Sequence, residues 1–321
     1  MKTKRLDSAH EIHVYGRLDQ YWKRRGFRLF GKDLRSGGQA LPERLLTREK
    51  LMDQFEIRNM FHIRGFEYGN WLTQEDRVSY LHAMAYSLFD LNKVLRFGGN
   101  IGLDYTIGIA FGARGQSAAL AHFEPGTMMI NLTRYKETTA ANRELMFKKT
   151  GGVGSFAHEY GHALDFFFGT YIEQYGRGRS LSGGSSAAVF WRPDDIDKVK
   201  YPLHHLMARI IHKLIWLRYP QKKRKGAFTP YYSGLLDFIK DGPGGTYWIR
   251  HTELFARLFE VWVQDRAAEL KITNHFLTHP KYVHQVYVDA ATYKRVKPLV
   301  TQLINKMAAK ARNVSKPSLS L

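Results

Sequence analysis

The most regular stretch of the chain runs over residues 73–95, where Val78, Leu81, Ala85, Leu88 and Val94 recur near helical period. That spacing predicts a long helix with one apolar face. Thr73 followed by Asp76 has the form of a capping box, and Gly98-Gly99-Asn100 predicts the helix end. Between Tyr105 and Thr133 the period changes. Residues 106–111, 118–123 and 127–132 are short apolar runs separated by Gly112-Ala113-Arg114-Gly115 and Glu124-Pro125-Gly126. They are expected to form a three-stranded meander. Helical spacing returns around Phe156 to Phe168, and again over residues 201–219, with Leu206, Ile210, Ile211 and Leu214 inward. It recurs from Thr252, a candidate cap, and over residues 297–311, with Val300, Leu303, Ile304 and Met307 inward.

The first sixty residues read differently. Residues 42–55 are expected to be helical, and Arg64 to Trp71 reads as an aromatic turn punctuated by glycine. Tyr21, Trp22 and Phe27 alternate with Lys23, Arg24, Arg25 and Arg28. Packing of the aromatics onto the main domain is the ordinary reading, and stacking on nucleic-acid bases the functional one. The pattern as a whole predicts an α+β chain: a basic N-terminal helical segment (1–60), a main domain (61–295), and a C-terminal helix and tail (296–321). The main domain would hold a long helix, a small mixed or antiparallel sheet and a helical C-terminal part. No internal repeat is visible.

Composition adds limits. A chain of 321 residues that is 44% hydrophobic can bury a substantial core. With no cysteine there is neither a disulfide framework nor a thiolate metal site. That suits a reducing compartment, and a cytoplasmic location is expected. The N-terminus has no apolar stretch after its charges, so a secretory signal is not expected, and no run approaches the ~18–20 apolar residues of a membrane span. Lys and Arg number 49 against 29 Asp and Glu, a net charge of +20. Such charge draws polyanions at long range, nucleic acid above all. The densest basic run, Lys222, Lys223, Arg224 and Lys225, is the candidate phosphate contact, with a solvated turn as its ordinary reading. Residues 175–186, rich in glycine and serine, read as a mobile loop. The glycines of residues 150–154 have neither spacing that cradles phosphates.

Chemistry concentrates in His158-Glu159-Tyr160-Gly161-His162. Residues four apart share one face of a helix, so His158 and His162 can aim their imidazoles at one ion, and Glu159 can take a proton from its water. Zinc suits such nitrogen donors and keeps a position for water in catalytic sites. The flanking residues are apolar, so the imidazoles and carboxylate would be buried and need partners. Gly161 costs about 1 kcal/mol against alanine in mid-helix, which makes sense if another backbone or a substrate passes close. Asp165, one turn beyond His162, is placed to accept a ring N–H or else is an ordinary solvated acid. Two histidines leave the shell incomplete. Glu253 is the best third candidate, in the first turn of the helix that Thr252 would cap. Glu253, Arg257 and Glu260 form a polar stripe that either faces the site or is simply the solvated side.

Taken together, His-Glu-Tyr-Gly-His-Ala-Leu-Asp and Glu-Leu-Phe-Ala-Arg-Leu-Phe-Glu resemble the zincin metallopeptidases whose third ligand is glutamate. In particular they resemble the zincin-like domain of large polyvalent proteins from phages and conjugative elements, and more distantly the catalytic domain of anthrax lethal factor. Residues 107–115, 119–126 and 130–134 extend the resemblance, which covers roughly 61–290. It implies a zincin-like fold with zinc (Zn2+) held by His158, His162 and Glu253, Glu159 as general base, and a protein or peptide substrate that can pair with a sheet edge. Enzymes of this kind use a phenol or imidazole to stabilise the oxyanion, and Tyr247 is the first choice here, His251 the next. A carboxylate commonly follows the ligand glutamate by four, and this chain has Arg257 there, so the surroundings of the ligand depart from the pattern. The expected activity is hydrolysis of peptide bonds by a protein of a mobile element, acting near nucleic acid. A second class stays open: a nucleic-acid-binding or anti-restriction module in which zinc serves structure.

Overall fold

A computed structural model gives the structure, describing residues 35–38, 54–70, 72, 74–115, 121–132, 154–174, 179–183, 196–221, 224–241, 244–278 and 286–313. Seven α-helices and small mixed and antiparallel sheets make the described part an α+β fold. The chain divides into two compact units, the first formed by residues 1–159, 263–280 and 311–321 and the second by 160–262 and 281–310.

The first unit is built on a four-stranded sheet. Its strands are β2 (Phe66–Tyr68), β3 (Gly108–Phe111), β4 (Ala121–Glu124) and β5 (Met129–Leu132), in the order β2-β3-β5-β4. This is not the expected meander. β5 inserts between β3 and β4, running parallel to β3 and antiparallel to β4, and β2 joins β3 in parallel. The burial explains the order. Every residue of β3 and β5 is buried, as a central strand requires, whereas in β4 only Ala121 is buried. A meander would have set the half-polar strand in the middle. β2 comes from the stretch read as a turn; Phe66 and Tyr68 point inward, and three residues carry too little alternation to stand out.

Helix α1 (Gln54–Phe61) and the 22-residue helix α2 (Gln74–Leu95) belong to the same unit. α2 is the long helix the periodicity predicts, and Leu81, Ala85 and Leu88 are fully buried. Tyr80 on α2 packs on Phe111 of β3, ring centroids 5.1 Å apart. The side chains of the Thr73–Asp76 capping pair lie outside the described residues, as do residues 39–53 and the Tyr21–Arg28 aromatic-basic stretch. Within 1–60, expected to be helical, the structure has strand β1 (Arg35–Gly37) paired antiparallel with β8 (Ile272–Asn274). Tertiary contacts hold it there: Arg35 gives two 2.8 Å hydrogen bonds to buried Asp90, and Asn274 gives Asp90 another at 2.8 Å.

The second unit is mainly helical. It contains most of α3 (Phe156–Phe167), which continues into one π-helical turn at Phe168–Ile172. α4 (Pro202–Ile215) follows, then the hairpin β6 (Trp216–Arg218) and β7 (Ala227–Phe228), and α5 (Pro230–Asp241). A 3-10 turn at Gly245–Ile249 leads into α6 (His251–Glu269), of which residues 263–269 belong to the first unit, and α7 (Ala290–Ala311) is the last described helix, starting seven residues before the expected 297. Asp289 explains the earlier start, since its carboxylate caps the backbone N–H groups of Ala291 and Thr292 at 3.0 Å. Glu173 does the same for α4, accepting from the N–H groups of Leu203 and His204 at 2.7 and 2.9 Å. Among the described residues no helix is long and apolar enough to cross a membrane.

Candidate metal centre

α3 is apolar on one side, where Phe156, Ala157, Tyr160, Ala163, Leu164 and Phe167 are all fully buried. The opposite side carries His158, Glu159, His162 and Asp165. Gly154, at φ +82°, turns the chain into the helix, a conformation that favours glycine. The first turn is then anchored by Ala157 N–H donating to the Leu277 carbonyl at 3.0 Å. His158 and His162 sit one turn apart on this single helix. Glu253 enters from the first turn of α6, within the same unit as His162.

One donor atom from each of His158, His162 and Glu253 lies within 4.8 Å of the others. His162 Nε2 and Glu253 Oε1 are 3.3 Å apart. A tetrahedral shell with metal–ligand bonds of about 2.0–2.1 Å puts its donors about 3.3 Å from one another. The His162–Glu253 pair stands at that spacing, and the group of two imidazoles and one carboxylate could hold a metal ion. Glu159, directly after His158, is 7% exposed.

The supporting residues differ in part from the sequence expectations. Asp165 is buried, so the solvated reading is wrong. Its carboxylate accepts from the Ser182 N–H at 2.9 Å and the Ser182 hydroxyl at 2.6 Å. Burial pushes its pKa up to about 6, against these hydrogen bonds and the nearby His162. Ser182 also offers its carbonyl to His251 Nδ1 at 3.2 Å, and a carbonyl can only accept, so that nitrogen carries the proton. Asp165, Ser182 and His251 thus join α3 to the start of α6, two residues before Glu253. Ser182 lies in the segment read as a mobile loop, yet Ser180, Leu181 and Ser182 are all buried. Gly169 makes this possible, since a Cβ there would stand 2.5 Å from the Arg179 carbonyl oxygen. Residues 175–178 and 184–186 of that loop lie outside the described part.

The Glu253, Arg257, Glu260 stripe is not solvated: the three are 6%, 2% and 2% exposed. Arg257 Nη1 stands 3.8 Å from Glu253 Oε2. The same guanidinium donates to the Trp248 carbonyl, lies over the Trp248 ring and interacts electrostatically with the Tyr231 phenol. Glu260 takes a hydrogen bond from Tyr287, whose pKa burial raises. Burial also raises the Tyr231 pKa, against the neighbouring Arg257. Tyr247, by contrast, is 37% exposed on the 3-10 turn, with Arg250 over its ring at 5.6 Å. Tyr231 is the phenol in contact with the partner of Glu253, and the sequence reading passed over it, as it did Ser182 and Tyr287. A tyrosine in an apolar helix face carries no signal of its own. Of the basic run, Arg224 and Lys225 are exposed between β6 and β7, and Lys222 and Lys223 lie outside the described residues.

Residues 239–311 match the family model of large polyvalent protein-associated domain 1. The match spans the end of α5 through α7, including Tyr247, Glu253, Arg257 and Glu260 but neither histidine of α3. It links this part of the chain to large polyvalent proteins. No curated protein and no solved structure matches the chain.

Proposed function

We propose that this chain is a zinc-dependent peptidase, with His158, His162 and Glu253 as the metal ligands and Glu159 as the general base. The observation that carries the reading is the convergence of two imidazoles and a carboxylate within 4.8 Å, with a second buried carboxylate next in sequence to the first ligand. Zinc, when bound, would polarise a scissile carbonyl and lower the pKa of a coordinated water toward 7. Glu159 would take the proton from the attacking water and pass it to the leaving amine. Asp165, through Ser182 and His251, would hold α3 and α6 in register, and Arg257 would orient the Glu253 carboxylate. Tyr247 and Tyr231 are the two phenols to test for oxyanion stabilisation. The link to large polyvalent proteins is in keeping with a mobile-element protein that cuts other proteins, and the net charge with work near nucleic acid.

Elemental analysis of the purified wild type beside His158→Ala and Glu253→Ala tests the metal assignment: about one zinc per chain is expected in the first and none in the variants. Digestion of a broad peptide library by wild type and Glu159→Gln tests catalysis. The variant should keep its zinc and lose cleavage. Zinc in both proteins without cleavage by either, together with salt-dependent DNA affinity, would replace the peptidase reading with a structural metal in a nucleic-acid-binding module.

A further inference from the structure

The first unit holds a cavity of about 630 Å³ at the end of its four-stranded sheet, lined by residues of α1, β2, the turn after β3 and the start of β5. Among the described residues three arginines face it (Arg58, Arg64 and Arg114) and one acid, Glu67. Arg114 is neutralised and fixed, with two 2.7 Å hydrogen bonds to Glu67 and a third of 3.2 Å to Glu124. Arg64 donates to the Thr127 carbonyl at 2.6 Å. Its guanidinium lies against Gly108, where a Cβ would stand 2.9 Å from Arg64 Nη2. Arg58 lies over the Tyr105 ring at 5.7 Å, and its buried Nε has no hydrogen-bond partner among the described residues.

Gly65 adds an independent observation. Its φ lies outside the left-handed region and a Cβ there would meet nothing within 4 Å, so neither backbone conformation nor packing calls for glycine. What the missing side chain leaves is room in the cavity wall.

We propose that this cavity binds the phosphate of a nucleotide, with Arg58 and Arg64 as its cationic contacts and Arg114 as a fixed wall. Planar guanidinium forks match phosphate oxygens two at a time, and a buried Nε–H without an acceptor is the kind of donor an anion satisfies. The volume falls within the roughly 300–1,000 Å³ of sites for organic ligands, so the phosphate comes attached to a larger body. Phe55, Phe66 and Met129 supply the apolar wall for that body. The site does not depend on the metal reading, since none of its residues belongs to α3 or α6.

The test measures binding of adenosine monophosphate by calorimetry and of a short fluorescent single-stranded oligonucleotide by anisotropy. Full-length wild type is compared with Arg58→Gln and Gly65→Leu, with circular dichroism confirming that both variants fold. Each variant is expected to weaken binding about tenfold or more. Affinity for the mononucleotide alone identifies a terminal phosphate as the ligand, and affinity for the strand alone a phosphodiester; either supports the proposal. No binding of either probe at millimolar concentration, binding that both folded variants retain, or equal affinity for citrate overturns it.

Discussion

Arg257 stands where its charge does most, 2% exposed and within reach of Glu253, Tyr231 and the Trp248 carbonyl. A guanidinium 3.8 Å from a carboxylate favours its charged form and can help to orient it, and groups that orient a metal ligand commonly contribute 10–100-fold in metal affinity. Arg257→Gln keeps a hydrogen-bond donor but removes the charge and the fork. It is expected to weaken zinc binding about 10–100-fold, read by competition with a fluorescent chelator. Unchanged affinity would mean that Glu253 needs no such support. Ser182 acts at the same scale. Replacing it by alanine removes the 2.6 Å hydroxyl contact to buried Asp165 while leaving the backbone N–H in place. A buried acceptor that loses a donor costs about 1–3 kcal/mol, so the urea midpoint of Ser182→Ala should fall accordingly.

Between elements, Gly161 is the contact that decides how closely α3 and α6 approach. A Cβ there would stand 3.0 Å from Phe259 Cδ1 and 3.3 Å from Ala256 Cα. Phe259 is fully buried, so its ring gives way only by displacing packed neighbours. Alanine gains about 1 kcal/mol in helix propensity but meets an overpacking cost of about 1–3 kcal/mol. Gly161→Ala should therefore destabilise, by about 1 kcal/mol in chemical unfolding; a stabilised variant would show the two helices are farther apart than this packing requires. This glycine was legible in the sequence because it breaks a strong helical pattern at a cost. The histidine pair and α2 were legible for a related reason: their spacing is local. Sheet order was not, since β5 reaches the centre only through pairing with the distant β3, and strands of three or four residues carry almost no period of their own. The Asp165–Ser182–His251 link was hidden by composition. A glycine- and serine-rich segment reads as solvent-exposed until Gly169 is seen to admit its backbone.

Across the whole molecule, each unit carries a histidine that burial holds neutral: His82 on α2 in the first and His204 on α4 in the second. Both have their pKa lowered to about 4 by burial, with Arg35 adding to the effect at His82. A lowered histidine pKa favours folding fully above the unfolded value of 6.5 and loses that contribution as pH falls toward 4, because only the unfolded chain takes up the proton in that window. Each such histidine removes up to about 1.4 kcal/mol per pH unit there, on a chain whose net charge of +20 already opposes compaction. Urea unfolding at pH 7, 6 and 5 in the presence of a chelator should thus show stability falling below 6.5, offset in part below about 6 by buried Asp165, whose raised pKa lets the folded chain take up a proton there. His82→Phe, which preserves an aromatic edge toward Tyr86, and His204→Leu should each flatten the slope, by at most one proton's worth. If the two units unfold in separate transitions, each variant should change the slope of its own transition alone. A slope that neither substitution alters would place the acid sensitivity in the carboxylates instead, and would show that these two imidazoles reach water.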